Sequence, residues 1–284
     1  MNGTDVLVLV VLLVLFSLIA PLAYLSWVRK TERYNTEAWG PLLRAFGYGA
    51  FIGTFVSAIL EAIFLAVYAQ VLQPDLGLPS GSTGNVVSLL VLAVVIAPFI
   101  EEGMKGAGVY GMRSRIRYVA DGLVFGAAVG FGFSFIENLL YGVSAYGQAG
   151  LAGFLATIIV RSFSSSLLHG SATAMTGLGV AESELRKGKG HLLAGYYLLA
   201  VTMHGTFNAL ASLPLILSLY YPSLPASTQN ELSVVALLAA IIFAVSVFSH
   251  VRTRITEMQY QGVHGLPIPT AGYAYPSMRT SGRR

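Results

Sequence analysis

Apolar stretches of about 20 residues recur along this chain, near 5–28, 42–72, 86–110, 119–142, 152–180, 192–219 and 231–250. At ~1.5 Å rise per residue each is long enough to cross ~30 Å of hydrocarbon. No water satisfies the backbone inside lipid, so a spanning segment is a helix or part of a closed barrel. The period-two alternation of a barrel is absent. The fold class is therefore all-α: a polytopic membrane protein of about seven transmembrane helices. Composition agrees, with 55% of the 284 residues drawn from AVILMFWYC and 11% charged, less than half the ~25% charge of an ordinary soluble domain. A soluble enzyme and a disordered chain are excluded. With no cysteine there is no disulfide, thiolate ligand or cysteine nucleophile.

The first run is long and follows no positive n-region, which fits an anchored span better than a cleaved signal. Basic residues then fix the expected orientation. Arg29, Lys30, Arg33 and Arg44 follow the first run, Arg113, Arg115 and Arg117 the third, Arg186, Lys187 and Lys189 the fifth, and Arg252 onward the last. The N-terminus and segments 73–85, 143–151 and 220–230 hold no Lys or Arg. The positive-inside rule places the N-terminus outside and the C-terminus in the cytoplasm, as in a multi-pass cell-membrane protein. The formal charge of +4 is thereby explained by topology in a lipid bilayer, and no nucleic-acid partner is expected. Residues 1–252 read as one helical domain, with its motif-bearing core at about 86–219. Residues 253–284, polar with Pro, Gly and Tyr, read as a flexible cytoplasmic tail.

Two of the 17 Lys and Arg, Lys105 and Arg161, fall inside apolar runs, together with Glu61, Glu101, Glu102 and Glu137. Ionised groups at that depth cost about 2.5 kcal/mol or more each and are usually functional. The surplus of two negative charges needs a divalent cation or protonation of two carboxyls. Pro98 precedes the Glu pair and predicts a bend there. Glu101 and Lys105, four apart, share a helix face as an ion pair. Glu102 is turned about 100° away and is expected to reach the same site only if the helix unwinds locally.

Gly122, Gly126 and Gly130 recur at every fourth position, a stripe that lets two helices approach closely in lipid. Glu137 returns to that face within about 20° and so points at a helix neighbour, with Asn138 beside it. Arg161, Ser162, Ser165, Ser166, His169, Thr173 and Thr176 form a polar stripe on the fifth run. His204 and Asn208 lie four apart on the sixth. Counted from the cytoplasmic helix ends at ~1.5 Å per residue, Glu101, His169 and His204 lie at roughly 15 to 18 Å and Glu137 at roughly 24 Å.

Buried Glu and His together suit the activation of water, with a His or amide donor for the oxyanion. Hydrolysis in the bilayer is the reaction class these residues favour. Other intramembrane hydrolase patterns fail: there is no G-x-S-G and no H-E-x-x-H, and among aspartates only Asp121 comes near, as a cap on the fourth helix. Retinal proteins need a lysine in the last span, which has none. A proton- or ion-coupled transporter, or a non-catalytic scaffold or sensor, are the alternatives.

Glu101-Glu102-x-x-Lys105, Phe133-x-x-x-Glu137-Asn138, His169 and His204-x-x-x-Asn208 resemble the motif series of the PrsW family of intramembrane proteases, relatives of the CAAX prenyl endopeptidases and bacteriocin-processing enzymes. The resemblance covers about residues 90–212. It implies cleavage of a membrane-anchored protein, as PrsW-type enzymes cleave anti-sigma factors, by a metal- or glutamate-dependent route. Carried onto this chain, Glu101 and Glu102 match the paired-glutamate motif, and His204 and Asn208 match a motif that supplies oxyanion stabilisation in the prenyl enzymes. Those enzymes have a His where this chain has Glu137, which argues against CAAX processing. The expected site has Glu101 as general base, Lys105 holding it, and Asn208 as oxyanion donor. Water is held by Glu137, His169 and His204, a donor set that suits Zn(II) with an open position. Glu61 lies outside the resemblance and is expected to shape substrate entry.

Overall fold

A computed structural model describes residues 3–73, 81–185 and 190–264. Every regular element among them is helical, as lipid demands of a chain whose backbone groups must be satisfied within one segment. The helices are α1 (Gly3–Thr31), α2 (Trp39–Gly47), α3 (Thr54–Val67), α4 (Gly81–Val91), α5 (Ala97–Gly111), α6 (Val119–Phe163), α7 (Ser165–Leu185), α8 (Gly190–Ala211), α9 (Leu213–Tyr220) and α10 (Ala226–His264). Wider π-helical turns, Tyr48–Gly53 and Leu92–Ile96, join α2 to α3 and α4 to α5 without a loop.

Among the described residues, five helical stretches are long and apolar enough to cross a membrane, or six if α8 and α9, bent by 57° at Ser212, count as one. Pro214 opens α9 and accounts for the bend. The expected separate runs 119–142 and 152–180 form one stretch, Val119–Leu185, of 67 residues. It does not run straight. Ala149 and Gly150 leave helical geometry, and Gly150 takes φ 61°, ψ −153°, a region open to glycine. Beyond that turn the chain doubles back, so that Phe154 and Ile158 pack on Gly142. A second break at Ser164 splits the expected helix 152–180 into the end of α6 and α7. Ser162 and Ser164 donate their hydroxyls to carbonyls four residues back, a bond that bends helices.

The first arm of α6 and the antiparallel α7 form the centre of the molecule, and 94% of an 18-residue apolar window within Val119–Leu185 is buried. The glycine stripe makes this possible. A Cβ at Gly122, Gly126 or Gly130 would strike the backbone carbonyl of Gly177, Thr173 or His169 respectively. On the other side, a Cβ at Gly49 would meet Val129 and one at Gly132 would meet Phe46. Asp121 caps α6 as expected, accepting from the Arg117 and Tyr118 amides at 2.8 and 2.9 Å.

The residues just after 252, expected to belong to a tail, are helical. Helix α10 continues to His264 because Val251, Ile255 and Met258 keep a buried helical stripe within the polar composition. Gln259 also ties this extension to the end of α1, accepting from the Arg33 amide at 2.8 Å and donating to the Asn35 carbonyl at 3.2 Å. Residues 265–284 lie outside the described residues, as do the basic positions Arg186, Lys187 and Lys189.

Candidate active site

Helix α5 brings the first residues. Pro98 stands at its first turn, after the π-helical turn Leu92–Ile96. The ring leaves upstream carbonyls without their helical donor, and the Asn208 amide donates to one of them, the Ala93 oxygen, at 2.7 Å. One of the two Asn208 N–H donors is thus spent on the backbone at the proline, while the residue itself lines the cavity described below.

From Ala97 on, α5 is regular, and the unwinding expected for Glu102 does not occur. On a 3.6-residue helix Lys105 lies about 40° from Glu101 on one side and about 60° from Glu102 on the other, so one ammonium serves both. Its Nζ is 2.7 Å from Glu102 Oε1 and 3.3 Å from Glu101 Oε2. It also meets His169 Nδ1 at 3.0 Å and lies 4.2 Å from the centre of the Phe133 ring. Lys105 and Glu102 are wholly buried, at a depth where only a fully paired charge is tolerated.

Glu102 is also spent on its neighbours. The Thr173 hydroxyl donates to its Oε2 at 3.0 Å, and His204 Nδ1 meets its Oε1 at 3.0 Å. That bond orients the ring and leaves His204 Nε2 turned to Glu101 Oε2, 3.9 Å away. The two imidazoles stand edge to face, 4.8 Å between centres.

Glu137 reaches the group despite its greater expected depth. Its Oε2 is 2.6 Å from His169 Nε2 and 2.8 Å from Arg161 Nη2. Because Lys105 can only donate, His169 Nδ1 is the acceptor there and Nε2 carries the proton toward Glu137. Arg161 in turn donates to Asn138 Oδ1 and Ser165 Oγ, each at 2.8 Å, and Asn138 donates to Ser166 Oγ at 2.8 Å. Arg161, Ser165 and Asn138 therefore build the site, although the expected set omitted them. The signal was present: Arg161, Ser165 and His169 recur at intervals of four along the sequence.

The expected metal set of Glu137, His169 and His204 changes accordingly. The group able to converge on one ion is Glu101, His169 and His204, whose donor atoms lie within 4.8 Å of one another. Glu137 lies on the Nε2 side of His169, paired with the Arg161 guanidinium. Tetrahedral zinc needs donors about 3.4 Å apart, so a modest closure would suffice. The donors are two imidazoles and a carboxylate, and one imidazole is backed by Glu102 as metal-bound histidines are backed by carboxylates. The set suits a divalent metal ion such as zinc provided that His169 Nδ1 exchanges the Lys105 ammonium for the ion.

A cavity of about 500 Å³ opens onto this cluster, with Glu61, Glu101, Glu137, Arg161 and Asn208 in its wall. It opens a path to carboxylates otherwise enclosed by helices. No curated relative and no solved structure matches the chain. A family model described as PrsW family intramembrane metalloprotease matches residues 37–248. That match takes in every element just described as building the site, so the chain belongs to the PrsW family of intramembrane metalloproteases.

Proposed function

We propose that this protein hydrolyses a peptide bond in a membrane-anchored protein, with water activated at Glu101, His169, His204 and Glu137. One observation carries the reading: imidazoles and carboxylates from α5, α6, α7 and α8 converge beside a cavity. A transporter would also keep charges inside its bundle, but a closed network around two paired imidazoles fits proton transfer to a reacting water better. An anti-sigma-factor-like substrate is the class the family resemblance implies.

In this mechanism Lys105 fixes the Glu101 carboxylate, and Glu102 fixes the His204 ring through Nδ1. Glu101, whose Oε2 also faces His204 Nε2 at 3.9 Å, takes the proton from water as it attacks the scissile carbonyl. His204 Nε2, facing Glu101, is placed to relay that same proton to the leaving amine. Glu137 keeps His169 oriented through Nε2, and its Oε1 accepts no hydrogen bond among the described residues, which leaves it open to water in the cavity. Arg161, in the cavity wall beside Glu137, supplies positive charge for the developing oxyanion, the part first expected of Asn208. A zinc ion held by Glu101, His169 and His204 would acidify water and polarise the carbonyl.

The doubled-back arms of Val119–Leu185, counted as two crossings, and the bent pair α8 and α9, counted as one, give the seven-span reading. The basic loops then place the N-terminus outside and the C-terminus in the cytoplasm of a multi-pass cell-membrane protein.

Purified protein in proteoliposomes with a single-span reporter tests the function, with products identified by mass. Cleavage within or beside the reporter's apolar span, and about one zinc per chain that is lost in His204→Ala, is expected. A reporter left intact by wild type while it moves ions across the vesicle would overturn the reading in favour of transport.

A further inference from the structure

The cavity wall opposite the cluster comes from α3, and its polar residues have no part in the mechanism above. Ser57 and Glu61, four apart, share one face of α3 and both line the cavity, as does Thr54 one turn earlier. The Thr54 hydroxyl is used locally, donating to the Gly49 carbonyl at 3.0 Å. Ser57 is not. It is 1% exposed, and its Oγ has no hydrogen-bond partner. Other buried helical serines here, such as Ser17, Ser162 and Ser171, donate to the carbonyl four residues back. A buried hydroxyl without a partner costs about 1–3 kcal/mol and calls for a ligand.

Charge identifies the ligand. Around the cavity and the cluster behind it stand four carboxylates, Glu61, Glu101, Glu102 and Glu137, and two cations, and the cations are committed. Lys105 pairs with Glu101 and Glu102, and Arg161 with Glu137. Glu61 has no ion pair or hydrogen bond among the described residues. It is a half-buried carboxylate in a cavity wall, one helical turn from a hydroxyl that also lacks a partner. A carboxylate and a hydroxyl on one face match a donor-rich cation: the carboxylate supplies charge and the hydroxyl an acceptor.

We infer that Ser57 and Glu61 form a specificity subsite for a Lys or Arg side chain of the substrate, close to the bond that is cut. The inference rests on the proteolytic reading for its biological meaning but not for its binding chemistry. The arriving cation reduces the negative surplus of the cavity and satisfies Ser57. A substrate with Glu at that position meets repulsion from Glu61, and one with Gln gains no charge pairing. The subsite therefore selects among membrane-anchored proteins by one basic residue.

Full-length protein in proteoliposomes is tested with fluorescent single-span peptides in which Lys, Gln or Glu is placed in turn at each position around the cut. Wild type should bind the best Lys peptide at least about tenfold more tightly than its Gln counterpart, as expected for a desolvated charged hydrogen bond. Glu61→Gln should bring that ratio within about twofold, and Ser57→Ala should lower it about threefold. Glu61→Lys should turn the preference toward the Glu peptide, a gain that a misfolded variant could not show. Equal binding of Lys and Gln peptides by wild type at every position, or an undiminished ratio in Glu61→Gln, overturns the subsite. Cleavage is scored in the same vesicles. Peptides that bind with the expected preference and stay uncut would sink the proteolytic reading and leave the subsite standing.

Discussion

Buried charge decides the behaviour of this chain residue by residue. Lys105 is legible in the sequence as a partner of Glu101, because the four-residue interval is local. Its contacts with Glu102 and His169 are less so: the first needs both sides of a helix to be weighed, the second a partner 64 residues away. Glu137 shows the same limit. Helical phase placed it on the right face, but only the doubling back of α6 beyond Gly150 reveals that Arg161 pairs with its carboxylate. Asn208 is the clearest case of a motif residue doing something other than its motif suggests. Since its amide repairs the backbone freed by Pro98, Asn208→Ala should lower the unfolding free energy by about 1–2 kcal/mol and reduce cleavage by no more than about tenfold. Thermal unfolding beside steady-state cleavage checks this. A loss of 10²–10³ in rate at unchanged stability is the mark of an oxyanion donor and would contradict it.

At the scale of elements, close helix contacts set the catalytic distances. The glycine stripe on α6 was visible as a four-residue repeat, whereas the kink at Ser164 was not, because local serine back-bonding leaves the apolar pattern unbroken. A Cβ at Gly130 would meet the His169 carbonyl, while one at Gly195 would meet nothing within 4 Å. Gly130→Ala should therefore cost about 1–3 kcal/mol and most of the activity by moving His169 from Glu137, with Gly195→Ala neutral or slightly stabilising. Thermal unfolding in detergent ranks them, and equal behaviour would refute the packing argument. The junction of α1 and α10 makes a pH prediction. Burial pushes the Glu32 carboxyl up from 4.5 to about 8, against the lowering effect of the Glu37 amide that donates to it. A folded value above the unfolded one means the junction's contribution is full below about pH 4.5 and is lost as pH rises through about 8. Hydrogen exchange of residues 251–261 should accelerate over that interval beyond its intrinsic base catalysis, and Glu32→Gln should abolish the excess. An excess that persists in the variant would show that another group is responsible.

For the molecule as a whole, the sequence announced helices in lipid but not how they connect. Apolar length cannot distinguish a doubled-back stretch such as Val119–Leu185 from separate spans, and a polar composition hid the helical stripe that carries α10 past residue 253. Orientation is testable because the chain has no cysteine. Ser114→Cys, between α5 and α6, and Ser223→Cys, between α9 and α10, are both exposed positions. In sealed, right-side-out cells an impermeant maleimide should label Ser223→Cys and spare Ser114→Cys, and the reverse pattern would invert the proposed topology. The central claim is that residues from four helices make a single centre that cuts peptide bonds. It is met most directly by the cleavage rate of Glu101→Gln, a change that keeps side-chain size and removes the carboxylate. With folding verified by an unfolding temperature near wild type, the rate on a single-span reporter should fall at least about 10³-fold; cleavage at the wild-type rate would contradict the account.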